Sequence, residues 1–297
     1  MTINFIKVEK KIDKQFQLGP LNFMIKPGTV TALIGNNGAG KSTLIRLLTG
    51  MVHLDSGEIN RFDNLHVNGK WREEIGYVPQ TSIGYERFTL KQLAELHDIG
   101  FEGWEEETFS RLITRFTLPL SKTFDSLSVG MQKQALIILA LSRKTKLLVM
   151  DEPLSGVDIE SQEKMREEWV AYLENDPERS ILFATHVPEE VKEFADYIVC
   201  MKSGDVTGSY EKDHLQQNYG RIWLKDPGEI RNLMGVIDVK YNGNTCEIIS
   251  QDMKGTEEAI KRENYEIVMQ HRLEFAEILR LLLQQQGGES KNDISNK

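Results

Sequence analysis

Gly35-Asn36-Asn37-Gly38-Ala39-Gly40-Lys41-Ser42-Thr43 follows the apolar run Val30–Ile34 directly and precedes Leu44, Leu47, Leu48 and Met51, which recur at helical spacing. The glycines let successive amide groups converge on an anion, and a helix starting behind them adds the positive end of its dipole. In such a loop Lys41 reaches the β- and γ-phosphates, and the Ser42 hydroxyl ligates Mg²⁺. Residues 35–43 are therefore expected to hold a nucleoside triphosphate. A Gly-rich turn can match this pattern by accident, but the flanking strand and helix are the context the motif demands.

Working outward, Leu147-Leu148-Val149-Met150 is a short apolar strand that ends in Asp151 and Glu152. Both carboxylates then lie at the carboxyl end of a strand, where open α/β sheets bind ligands. Asp151 is expected to hold Mg²⁺, through water, and Glu152 to polarise an attacking water. That second acid separates a hydrolase from a passive binder, since a positioned general base contributes about 10²- to 10⁴-fold in rate.

The remaining chain reads as alternating strands and helices. Ile3, Phe5, Ile6 and Val8, then Phe16–Ile25 up to Pro27-Gly28, suggest a small antiparallel sheet feeding the nucleotide strand. Residues 89–117 carry Leu93, Leu96, Phe109, Leu112 and Ile113 at helical spacings, and Ala135–Leu141 is apolar on all sides, as in a buried helix. Ile181–Ala184 forms another strand and ends at Thr185-His186. This alternation predicts a mostly parallel sheet with helices on both faces. Near Gly220 the pattern weakens, with strands expected at Ile237–Val239 and Cys246–Ile249. Phe275, Ile278, Leu279, Leu282 and Leu283 mark an amphipathic helix closing at Gly287-Gly288, expected to pack onto its own domain rather than dimerise. From Glu289 a disordered tail is expected.

Composition removes several classes. With 40% hydrophobic and 27% charged residues among 297, the chain is an ordinary globular one. No apolar stretch approaches the roughly 18 to 20 residues of a membrane span, and no signal-peptide pattern opens the sequence, so a cytosolic location is expected. Cys200 and Cys246 lack metal-ligand spacing and read as reduced packing residues. A formal charge of −9 without a basic stripe argues against nucleic acid as a partner.

Between the loop and the acids lies Leu127-Ser128-Val129-Gly130-Met131, which resembles the Leu-Ser-Gly-Gly-Gln signature of the ATP-binding cassette family. Gln80, in Gly76-Tyr77-Val78-Pro79-Gln80, resembles that family's Q-loop, Ser155-Gly156-Val157-Asp158 its D-loop, and His186 its switch histidine. The resemblance covers roughly residues 1–220. It implies a P-loop NTPase core with an N-terminal antiparallel β subdomain and a helical subdomain at about 81–145, while the weaker pattern beyond Gly220 reads as a small C-terminal α+β accessory domain at 221–288. The resemblance also implies ATP with Mg²⁺ held by Ser42, Gln80 and Asp151, catalysis by Glu152, His186 and Gln80, and a head-to-tail dimer. In that dimer Ser128, Gly130, Met131 and Asp158 face the ATP held by the partner.

Ser128 at a helix start can cap free amides and leave an anion site. Val129 and Met131 depart from the family signature, and weaker or slower closure is expected. No aromatic stands where the family stacks adenine: Ile12 or Asp13 occupies that place, Phe16 is the nearest candidate, and base recognition stays unassigned. The resemblance points to the ATP-hydrolysing subunit of a transporter, working with separate transmembrane subunits on the inner face of the membrane, for export rather than import. The alternative is a cassette ATPase acting on ribosomes, DNA or a regulatory complex, which usually brings tandem cassettes, coiled coils or zinc insertions. A kinase or GTPase sharing only the phosphate loop leaves the signature and Glu152 unexplained.

Overall fold

The computed structural model describes residues 2–62, 67–81, 84–230 and 233–284. The expected Gly287-Gly288 stop and the tail from Glu289 lie outside the described residues. The chain divides into two compact units. One comprises the residues up to Val187 with Tyr197–Ser209, and the other Pro188–Asp196 with the residues from Tyr210 onward.

The first unit opens with β1 (Ile3–Lys11) and β2 (Gln17–Ile25), paired antiparallel. The chain continues through β3 (Val30–Gly35) and α1 (Lys41–Leu48), and β4 (Ser56–Arg61) returns to the other side of β1. Phe5 and Val8 both face inward although an odd step separates them, and Ile6 is exposed. Register shifts between Phe5 and Val8 supply the extra residue that keeps both on one face. Met51, grouped with the helix by its spacing, falls beyond the end of α1 and is exposed.

β3 belongs to the central sheet with β5 (Ile75–Val78), β6 (Leu147–Asp151), β7 (Ser180–Thr185), β8 (Tyr197–Lys202) and β9 (Asp205–Glu211), in the order β5-β6-β7-β3-β8-β9. The strands from β5 through β8 run parallel. Every residue of β3, β6 and β7 is buried, which is why they read as continuous apolar runs rather than alternating ones. The register pairs Val78 with Met150, Asp151 with Ala184, and Ile34 with Thr185. The carboxyl ends of β5, β6, β7 and β3 therefore line up side by side.

Between β5 and β6 the chain inserts α2 (Leu90–Gly100), α3 (Glu106–Phe116) and α4 (Val129–Leu141). Thr89 starts α2 with a capping box: its hydroxyl accepts from the Gln92 amide while the Gln92 side chain accepts from the Thr89 amide. Leu93, Phe109, Leu112 and Ile113 are buried as their spacing predicts, but Leu96 is exposed. From Lys133 to Leu141 no residue of α4 reaches solvent appreciably.

After β6, α5 (Ile159–Glu174) carries Glu168, which is 3% exposed and accepts a bidentate pair of hydrogen bonds from Arg111 at 2.7 Å each, with Arg115 as a further partner. Burial alone would raise the Glu168 pKa, but the hydrogen bonds from Arg111 and then Arg115 outweigh it and hold the carboxyl below its usual range. A depressed folded pKa stabilises the protein above the unfolded value and loses that contribution as pH falls through the folded value. Glu168→Gln is expected to cost about 1–3 kcal/mol at neutral pH, from the loss of charge-assisted bonds. In urea titrations the deficit should stay flat from about pH 8 to 6 and narrow only near the glutamate range, about 4.3 and below. A deficit that changes between pH 8 and 6 would assign the titration to another group.

The second unit contains α6 (Pro188–Phe194), α7 (Lys212–Asn218), and a sheet of β10 (Gly220–Lys225), β11 (Val236–Asn242), β12 (Thr245–Ser250) and β13 (Glu266–Arg272) in the order β11-β12-β10-β13. α8 (Met253–Arg262) contributes Met253 and Ile260 to a core with Ile222, Leu224, Cys246 and Ile248. α9 (Phe275–Gln284) buries Phe275, Ile278, Leu279 and Leu282, and it packs on α6 and α7 of the same unit. Both cysteines are free and buried, and burial pushes the Cys200 thiol up to about 12. Among the described residues no helix is long and apolar enough to cross a membrane.

Candidate functional site

β3 delivers Gly35 to the edge of the central sheet and the loop turns back into α1. Gly40 takes the cap position with φ 107°, a left-handed conformation that favours glycine, and no side chain caps the helix. A Cβ there would lie 3.0 Å from Leu18 Cδ1 and 3.2 Å from Phe16 Cζ. The first turn of α1 also carries no acidic residue, so its amides and dipole end are left to an external anion. Lys41 is 8% exposed and donates to the Gly35 carbonyl at 2.7 Å and to that of Asn36 at 3.4 Å. Burial lowers its pKa, while the charges of Glu152 and Asp151 oppose the shift.

An open cleft of about 590 Å³ runs over this loop. Residues 37–43 form its floor, Gln80, Asp151 and Glu152 one wall, and Ile12, Asp13 and Phe16 another. Asn36 and Gly35 stand at the root of the loop rather than in the lining. The hairpin between β1 and β2 supplies the second wall. Asp13 accepts from the amides of Gln15 and Phe16 at 2.7 and 2.8 Å, which folds the turn and leaves the half-buried Phe16 ring at the cleft.

Glu152 follows the end of β6 with φ 50°, a left-handed conformation unusual for a side chain of this kind and strained at about 1–3 kcal/mol. Its amide donates to the Ala184 carbonyl at 2.9 Å, which holds the turn. His186, just past β7, places Nδ1 at 2.9 and 3.0 Å from the two carboxylate oxygens of Glu152. A carboxylate only accepts, so Nδ1 is the donor in this pair and Nε2 is not engaged by it. Glu152 is 9% exposed at its side chain and His186 is 64% exposed, so the acid is sheltered while solvent reaches the ring.

Ser128 begins α4, its hydroxyl accepting from the Met131 amide at 3.2 Å, and both Ser128 and Val129 are exposed. Gly130 needs to be glycine for a different reason: a Cβ there would come within 2.9 Å of the Gly156 carbonyl oxygen. The D-loop-like segment thus lies against the signature-like helix end. Asp158 caps α5 by accepting from the Ser161 amide at 2.9 Å, and that bond keeps its carboxyl low. In this chain the visible contact of Asp158 is a helix cap rather than a bond to any group of the cleft.

The structure brings Gln80, Asp151, Glu152 and the phosphate loop together in the cleft lining, joins His186 to them through Glu152, and leaves His186, Ser128, Gly130, Met131 and Asp158 outside that lining. Two residues near the site were not assigned from the sequence. Phe16 was named only as the nearest aromatic. Lys133 of α4 was passed over, although a lysine two positions before the all-apolar run Ala135–Leu141 is itself a signal. It is 5% exposed, and burial lowers its pKa against the opposing charges of Asp151 and Glu152.

The donor chemistry suits a magnesium nucleotide: an uncapped helix end and a buried ammonium for phosphates, with hydroxyl, amide and carboxylate oxygens beside them. Among the described residues no group of three or more His, Cys, Asp or Glu is gathered for a metal. A hard cation that shares phosphate oxygens and water needs fewer protein ligands than that.

The family described as ABC transporter matches residues 18–155. The chain is 34% identical over 241 residues to an energy-coupling factor transporter ATP-binding protein, EcfA2, of Ligilactobacillus salivarius (strain UCC118), covering 73% of this chain and 82% of that protein. It is 27% identical over 224 residues to the ABC transporter ATP-binding protein YtrB of Bacillus subtilis (strain 168), covering 75% and 76%. A solved structure of an ATP-binding subunit of an ABC transporter superposes with a TM-score of 0.64 at 25% identity, over 73% of this chain and 92% of that one. The chain belongs to the ABC transporter family of ATP-binding proteins. It has the P-loop NTPase fold of that family's cassettes and is an ATPase.

Proposed function

We propose that the chain hydrolyses ATP as one half of a dimer and that this reaction drives substrate across a membrane through separate transmembrane subunits. The observation carrying this reading is the sheltered Glu152, held by the exposed His186 and lining the cleft beside the phosphate loop, because it supplies a base where a passive nucleotide binder needs none. Lys41 and the amides of residues 38–43 bind and orient the phosphates. Glu152 takes the proton of the attacking water, and His186 holds the Glu152 carboxylate in place and turns Nε2 toward the γ-phosphate. Ser42, Gln80 and Asp151 would hold Mg²⁺, which neutralises charge on the phosphates. Phe16 supplies the stacking surface for the base, by its place at the end of the cleft.

Ser128, Gly130 and Met131, with Asp158 and the rest of the D-loop, face the partner's nucleotide in this proposal. Exposure of Ser128, Val129 and Asp158 in the single chain supports that assignment. Val129 at 69% exposure stands at the closing surface, where the family has glycine, and is the side chain that slows closure. Residues 221–288 are proposed as an accessory domain, and the chain as peripheral on the inner membrane face. Export is proposed on the resemblance to single-cassette exporter subunits with an accessory C-terminal domain and on the Met131 form of the signature.

The experiment is co-purification of the tagged chain from its native membranes in mild detergent. A polytopic membrane protein is the expected companion. Recovery of ribosomes, nucleic acid or soluble proteins alone would transfer support to the soluble cassette reading.

A further inference from the structure

The geometry points to Lys133 as a positioning residue for hydrolysis, tying the signature helix to both segments that form the γ-phosphate wall of the cleft. This inference deepens the composite-site reading above and rests on it.

Lys133 lies one turn past Gly130 in α4 and is 5% exposed. Its ammonium reaches the main-chain carbonyls of Pro79 at 3.0 Å, Gln80 at 3.1 Å and Asp151 at 3.4 Å. An ammonium has three donors and no acceptor, so these carbonyls match its whole capacity. They come from 54, 53 and 18 positions away along the chain. The neighbouring stretch Ala135–Leu141 packs with apolar side chains alone. An apolar residue at 133 would pack there too, and a buried charge is unfavourable unless its donors are met. What lysine adds is a link. Gln80 cannot move its backbone without either dragging Lys133 or breaking a part-buried hydrogen bond, and Lys133 is part of the helix whose exposed end carries Ser128 and Gly130.

The consequence is directional. Closure of Gln80 around one nucleotide sets the aim of the same chain's signature at the nucleotide held by the partner. Lys133 touches neither nucleotide and acts through main chain, so its loss should separate turnover from nucleotide binding.

The test uses the purified full chain carrying Lys133→Met or Lys133→Arg, each alone and combined with Glu152→Gln. Steady-state hydrolysis, monomer affinity for a fluorescent ATP analogue, ATP-dependent dimerisation and thermal midpoint are read together. Lys133→Met is expected to lower kcat by about tenfold or more, as misplaced catalytic groups do. Monomer affinity should hold within about threefold, and the double variant should need about tenfold more ATP to dimerise. Lys133→Arg, which keeps donors to carbonyls, should restore most of the turnover. Unchanged kcat in Lys133→Met would overturn the inference. So would a loss that follows affinity and thermal midpoint together and that Arg does not rescue, since that is a packing defect. Glu152→Gln with Lys133 intact is the separate control. Failure of that variant to dimerise with ATP overturns the composite-site reading itself, whereas a normal dimer unaffected by Lys133→Met overturns only the role given to Lys133.

Discussion

Glu152→Gln is expected to lower ATP turnover by about 10²- to 10⁴-fold, the range a positioned general base supplies, while leaving nucleotide affinity nearly unchanged. The substitution is close to isosteric, and glutamine keeps an oxygen that accepts from His186 Nδ1, so the bond at 2.9 Å has a replacement. The left-handed backbone at φ 50° asks nothing of the carboxylate, and the amide bond to Ala184 is untouched. What disappears is the proton acceptor. With binding intact and release by hydrolysis blocked, the protein should accumulate as an ATP-bound dimer, visible as a doubling of mass by light scattering after gel filtration with ATP and Mg²⁺. Turnover near the wild-type rate would remove Glu152 from the role given to it.

Legibility in the sequence followed burial and locality. β3, β6 and β7 are buried at every position, so their apolar runs stand out with no knowledge of the sheet, and the site residues that terminate them were named with them. Gln80 and His186 needed more, since an isolated glutamine or histidine is ordinarily structural, and only the order of motifs drew them to the site. β4 reads Ser-Gly-Glu-Ile-Asn-Arg, with Ile59 its one buried residue, and nothing local announces a strand; pairing with β1 decides it. Leu96 and Met51 show the opposite error, helical spacing without a surface to cover.

The site follows the same rule. Lys133 makes its contacts with carbonyls brought near by the fold, and carbonyls have no sequence signature. Phe16 occupies a hairpin whose turn is set by Asp13, so the distance of the ring from the loop was not readable from spacing alone. Asp158 shows why a motif match is not yet a contact. Its carboxylate is engaged as a helix cap, by the Ser161 amide and side chain.

Lys41→Ala should reduce ATP affinity through the loss of its phosphate contacts. The ammonium lies among the loop carbonyls of Gly35 and Asn36, already desolvated and aimed at the place where phosphates meet the uncapped start of α1. Its bonds to charged oxygens are worth about 1.5–3 kcal/mol each, and a phosphate left facing buried amides without its cation adds an electrostatic cost. A loss of 100-fold or more, about 2.7 kcal/mol, follows by the usual conversion of free energy to affinity. Phe16→Ala removes stacking at the other end of the ligand, about 1–3 kcal/mol where an aromatic carries a base, and it leaves the phosphate contacts in place. The two substitutions therefore differ in what rescues them. Inorganic triphosphate should compete for the Phe16→Ala site as well as for the wild type and should bind poorly to Lys41→Ala, whereas adenosine alone should lose its weak binding only in Phe16→Ala. Calorimetric titrations with ATP, triphosphate and adenosine separate these outcomes. Equal triphosphate binding by Lys41→Ala and the wild type would place the phosphates elsewhere than over residues 35–43.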